Sequence, residues 1–164
     1  MKRLIGICFL AGAVAAAAFT DRPWGAAQAQ QAGDAPRTIP SLADIMSATQ
    51  WRHLKLAYSG KVSNWPLANY ELGQIQQSFS AAAELYPTLQ GVPLARLIKD
   101  ESGPPLADLG KAIERKNNAD FTRAFTKLTE ACNRCHRDAG AGFIVIRIPT
   151  SSPFSNQLFP PAQQ

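Results

Sequence analysis

Cys132-Asn133-Arg134-Cys135-His136 closes the last helical pattern of the chain, and its spacing decides how everything before it is read. On a helix of 3.6 residues per turn, positions i, i+3 and i+4 share a face, so both thiols and the imidazole point the same way. A covalently attached haem needs that geometry. Each sulfur adds to a vinyl group of the porphyrin, and His136 is placed to bind the iron as proximal ligand. Cys132 and Cys135 are therefore the expected thioether anchors of one haem c.

Working back from the motif, Phe121, Phe125, Leu128, Cys132 and Cys135 follow at steps of four, three, four and three, the seam spacing of a helix from about 119 to 138. The cysteines continue a core stripe, which puts the haem against an apolar interior. Three further amphipathic segments precede it. Ser41-Leu42-Ala43-Asp44 has the order of a capping box with Asp in place of Glu, and Leu42, Met46, Thr49, His53 and Leu56 form a seam ending near Gly60. Asn64 is the expected N-cap of a second helix with Pro66 in its first turn, and Trp65, Ala68, Leu72, Ile75, Phe79, Ala82 and Tyr86 give it a continuous stripe. Residues 88–105, rich in Gly and Pro, read as a connection with one helical turn at Leu94–Lys99. A short third helix opened by Pro105 then carries Leu106, Leu109 and Ile113 as far as Asn117-Asn118.

Beyond Gly140, residues 143–148 favour extended structure, and with no strand partner in view they are expected to run along the helices. The tail from Thr150 contains Pro153, Pro160 and Pro161; it is read either as a loose terminus or as a cover whose Phe154 and Phe159 pack over a haem edge.

Residues 1–29 have the form of a secretory signal: Lys2-Arg3, an apolar run from Leu4 to Phe19, and Ala27-Gln28-Ala29 as a small-x-small cleavage site. The apolar run falls slightly short of the ~18 residues that span a bilayer, so cleavage and export to the periplasm are expected over a retained anchor. Cys8 leaves with the signal. The remaining chain holds two thiols, both in the motif, and no disulfide framework. Cleavage also leaves 14 basic and 11 acidic residues, a formal +3 before any haem propionate is counted. The basic residues are scattered, with no run longer than two, which argues against nucleic acid as a partner. With 164 residues and 46% of them hydrophobic, one core is expected. The organisation read from this is a signal at 1–29, a leader at 30–40, a helical haem-binding domain at 41–140 and a tail at 141–164.

Two other chemistries use the same residues. A zinc-stabilised helical interaction domain would take Cys132, Cys135 and a histidine, but structural zinc asks for four ligands and little besides His53 remains to complete the set. A dithiol oxidoreductase would use the cysteines as a redox pair, but such motifs follow a strand in a βαβ setting.

With a signal, four amphipathic segments and a C-x-x-C-H late on the last of them, the chain resembles the cytochrome c prime class and its low-spin four-helix relatives over roughly Ser41 to Gly140. The resemblance implies an all-α, antiparallel four-helix bundle with one covalently bound haem, here at Cys132, Cys135 and His136, followed by an extended tail. It departs from the class in its short third helix and long tail. In such proteins the distal face comes from the first helix, where two residues compete. Met46 resembles the methionine of the b-type relatives, and His53 resembles the depth at which cytochrome c prime proteins place their distal residue. About 10 Å of helix separates them, so one ligand at most reaches the iron. Arg52, Lys55, Arg134 and Arg137 are charged neighbours available to the propionates, Arg52 first among them. Trp51 and Trp65 suit a pocket wall or ordinary helix packing. The function implied is a single-electron carrier serving redox partner proteins, not an enzyme. A five-coordinate haem binding NO or CO is the alternative, and an exposed seam leaves room for a homodimer.

Overall fold

A computed structural model describes residues 38–161. The expected signal at 1–29, with Cys8, lies outside them, as does most of the leader. Among the described residues there are four helices and no strand: α1 Leu42–Lys61, α2 Trp65–Leu85, α3 Leu94–Glu114 and α4 Asn118–Asp138. None of these is long and apolar enough to cross a membrane.

The ends are set by side chains the sequence marks. The Ser41 hydroxyl accepts from the Asp44 amide at 3.1 Å and the Asp44 carboxylate accepts from the Ser41 amide at 3.2 Å, closing the capping box of α1. Asn64 Oδ1 accepts from the Leu67 amide at 3.3 Å to start α2, with Pro66 in the first turn. Asn117, expected to end the third helix, instead begins α4, its side chain accepting from the Asp120 amide at 2.9 Å.

Each helix packs on the next and α4 returns to α1, an arrangement compatible with a helical bundle. The stripes read from sequence face inward. Leu56, Leu72, Ile75, Phe79, Leu109, Phe121, Phe125 and Leu128 are all buried in one cluster, and Met46, Cys132 and Cys135 pack against its edge. A run of aromatic rings crosses the interior. His53 lies 4.4 Å from Phe125, which stacks at 6.0 Å on Phe121, which meets Trp65 edge-on at 6.0 Å. Gly60 lets α1 end against this run, because a Cβ there would fall 2.0 Å from the Phe121 ring.

The third helix is the main correction. It begins at Leu94, not at Pro105, and passes through Pro104 and Pro105 without ending. Each proline removes one main-chain donor, and the carbonyls left over belong to Asp100, which is exposed, and Glu101, which is half-buried. Gly103 eases the crowding before Pro104, since it lacks the Cβ that a following proline would press on. The return is a long inward stripe of Leu94, Ile98, Ser102, Leu106, Leu109 and Ile113. Burial of that stripe, which includes Pro105 itself, outweighs the two lost donors.

Candidate functional site

The last two turns of α4 hold Cys132, Cys135 and His136, and the chain reverses immediately after them. Gly140 has φ +77, a left-handed conformation natural to glycine, and the Ala141 amide then donates to the His136 carbonyl at 2.7 Å. Residues 141–149 run back along α4 as a strap. Asn133, inside the motif, fixes it with both ends of its amide: Nδ2 donates to the Ile146 carbonyl at 2.9 Å, and Oδ1 accepts from the Ile146 amide at 2.8 Å.

This clamp brings the Ile144 carbonyl 2.8 Å from His136 Nδ1. A carbonyl only accepts, so Nδ1 carries a proton, and in the neutral ring the lone pair is on Nε2. That is the tautomer and second hydrogen bond typical of a metal-ligating histidine.

Cys132, Cys135 and His136 line a cavity of about 350 Å³. Leu42, Met46, Thr49 and His53 of α1 form another wall, Phe79 of α2 and Leu94, Ile98 and Ser102 of α3 contribute, and Ile144 and Ile146 of the strap close one side. The lining is apolar except for the thiols, two histidines and short hydroxyl or amide side chains. Thr49 already donates its hydroxyl to the Ile45 carbonyl at 2.7 Å.

Met46 and His53 both reach this cavity, in different states. His53 is 5% exposed and its Nε2 lies 2.9 Å from the Thr129 hydroxyl. That hydroxyl spends its one proton on the Phe125 carbonyl at 3.0 Å, so it accepts from His53 Nε2–H. Burial lowers the His53 pKa from 6.5 to about 4, and the ring is neutral near pH 7. With Nε2 occupied, only Nδ1 has a free lone pair. Met46, half-buried at the core's edge, has no such engagement.

The charged neighbours are placed elsewhere. Arg52 does not line the cavity; its guanidinium bonds Gln74 across α1 and α2, beside buried Glu71, and its Nε is buried without a partner among the described residues. Arg52 and Lys55 oppose the burial that raises the Glu71 pKa. Arg134 pairs with Glu101 of α3 at 2.6 Å, and Lys55 sits 5.0 Å over the Phe154 ring. Neither Trp51 nor Trp65 lines the cavity. The tail aromatics pack on α1, Phe154 against Trp51 at 5.4 Å and Phe159 against Tyr58 at 5.2 Å, and Asn64 Nδ2 donates to the Phe159 carbonyl at 2.8 Å. The part of the chain after α4 that covers the cavity is the strap, whose Ile144 and Ile146 alternate as an extended segment should.

The donor set can be tested against each chemistry. Burial pushes the Cys132 thiol up to about 12 and the Cys135 thiol to about 11, so both stay protonated near pH 7, unlike the thiolates of dithiol oxidoreductases. Among the described residues no three His, Cys, Asp or Glu side chains converge as a metal-ion site, so a tetrahedral zinc set is not laid out. Haem asks less of the protein: two sulfurs on one helical face, one imidazole nitrogen and an apolar enclosure. All of these are present together, and the residues fit that group. No protein-family model, curated protein or solved structure matches the chain.

Proposed function

We propose that this protein is an exported c-type cytochrome that carries single electrons, built as an antiparallel four-helix bundle similar to the cytochrome c prime class and its low-spin relatives. The observation that carries the reading is the His136 arrangement: an imidazole on the same cavity wall as Cys132 and Cys135, its Nδ1–H held by Ile144 and its Nε2 free. The antiparallel order is supported by the three-residue connections at 62–64 and 115–117, which leave little chain for anything but a reversal. Export rests on the signal pattern at 1–29.

A bound haem supplies the one-electron iron couple. Cys132 and Cys135 would hold the group covalently through their sulfurs, and His136 Nε2 and, from α1, Met46 would supply ligands to its iron. The bond to Ile144 raises the electron-donating strength of His136 and fixes its rotation. Phe79, Leu94 and Ile98 exclude water, which limits the solvent reorganisation that accompanies each electron transfer. His53 stands beside this site as a neutral wall residue tied to Thr129. The partners are redox proteins.

Absorption spectra test the distal assignment. The parent protein is expected to be low-spin in the ferrous state and indifferent to CO, and Met46→Ala should become high-spin and bind CO at once. A parent that binds CO immediately would contradict the electron-carrier reading and favour the gas-binding one. Loss of the low-spin spectrum in His53→Ala but not in Met46→Ala would move the ligand to His53.

A further inference from the structure

The apolar cavity has no Lys or Arg in its walls, yet a haem carries two propionate carboxylates, and a buried carboxylate without a partner is costly. A second pocket of about 260 Å³ adjoins the cavity between α1 and the strap, sharing Gln50, His53 and Ile146 with it. Its character is different. Thr150 and Ser151 bring hydroxyls, Gln50 an amide, and Arg147 the one charge in its lining, with no carboxylate facing it. Among the described residues Arg147, like Arg52 and Arg137, makes no ion pair, whereas Arg96, Arg115, Arg123 and Arg134 each have an acidic partner; of those three without one, Arg147 is the one that lines this pocket. Neither cysteine lines this pocket. A porphyrin bears its vinyl groups on two pyrroles and its propionates on the other two, so tying the vinyl edge to α4 sends the carboxylates to the opposite edge.

We infer that this second pocket is the propionate site of the haem, with Arg147 as the pairing cation and Gln50, Thr150 and Ser151 as hydrogen-bond donors. The inference rests on the haem reading above and replaces Arg52, which is committed to the α1–α2 interface. It also gives the strap a second task. The clamp of Asn133 on Ile146 sets the position of the next residue, Arg147, so one segment orients the proximal histidine and supplies the propionate partner.

The test uses the matured protein and its Arg147→Gln, Arg147→Lys and Arg52→Gln variants, each first checked for covalent haem on a denaturing gel. Removing a cation beside the haem disfavours the ferrous state. Arg147→Gln is expected to shift the ferrous-to-ferric equilibrium about tenfold toward ferric, a potential lower by about 59 mV for one electron. It should also move the propionate carboxylate bands in the redox-difference infrared spectrum, with Arg147→Lys restoring most of the potential and Arg52→Gln leaving both readouts at parent values. A stained Arg147→Gln protein with parent potential and bands overturns the propionate assignment while leaving the haem reading intact. The same shifts in Arg52→Gln alone return the role to Arg52. A parent potential that follows added acetate at constant ionic strength means the pocket takes a solution anion, which also overturns the assignment. An unstained parent band removes the haem reading itself, and this inference with it.

Discussion

At the residue scale the site is governed by where protons sit on two histidines. His136 keeps its proton on Nδ1 because Ile144 offers only an acceptor, and His53 keeps its proton on Nε2 because the Thr129 hydroxyl has already given its own away. The first leaves Nε2 unpaired; the second ties Nε2 to Thr129 and leaves only Nδ1 with a free lone pair. His53 also couples stability to pH. Its folded pKa, about 4, lies below the ordinary 6.5, so the unfolded chain binds the extra proton first as the medium is acidified. The stability it contributes is complete above pH 6.5 and disappears between pH 6.5 and 4, about 3 kcal/mol in all. Denaturant titrations of the haem-free chain across that window should show this loss and find it largely absent in His53→Gln. Equal slopes in the two proteins would contradict the buried, neutral state.

The motif triplet, the caps of α1 and α2 and the two α1 residues Met46 and His53 are legible in the sequence, whereas Asn117 reads as the end of a helix and is the cap of the next. The tautomers are not legible there, because they depend on Thr129 and Ile144, whose neighbourhood to the histidines exists only once the helices and strap are in place. Arg147 carries no mark in the sequence for the same reason. It stands in an extended run, and its relation to Gln50 and His53 has no local signature.

At the element scale, α3 shows what sequence punctuation misjudges. Leu94 and Ile98 are one turn apart and Leu106, Leu109 and Ile113 repeat the spacing, so the stripe was visible on both sides of Pro104-Pro105. Two adjacent prolines read as a stop, yet the helix continues through them because the inward stripe runs on from Leu94 to Ile113. Gly60 marks a helix end in the sequence, and its structural role is clearance for Phe121. Gly60→Ala is expected to cost about 1–3 kcal/mol by forcing a buried ring from its place, measured as a lower denaturation midpoint. An unchanged midpoint would mean the α1–α4 approach is looser than described. The strap depends on Asn133 more than on its own exposed residues, with Phe143 84% exposed and Val145 68%. Asn133→Ala removes both bonds to Ile146 and should cost about 1–2 kcal/mol locally. Amide hydrogen exchange at Ile146 should then quicken by about tenfold or more while exchange in α2 is unchanged. Unaltered exchange at Ile146 would show that something else holds the strap.

At the scale of the whole molecule, four helices and a returning strap line one apolar cavity, and the C-x-x-C-H run stands in its wall. Each stripe read from sequence faces this interior, which is why the all-helical fold was foreseeable while the cover over the cavity was not. The tail aromatics that looked suited to a haem edge strengthen the outer face of α1 instead, and the cover is made by Ile144 and Ile146. The most direct measurement is haem staining of the mature chain on a denaturing gel after expression in cells competent for cytochrome c maturation. The parent band should stain, and Cys132→Ser/Cys135→Ser should run at the same place unstained. An unstained parent band, present in normal amount and correctly processed, would contradict the central claim.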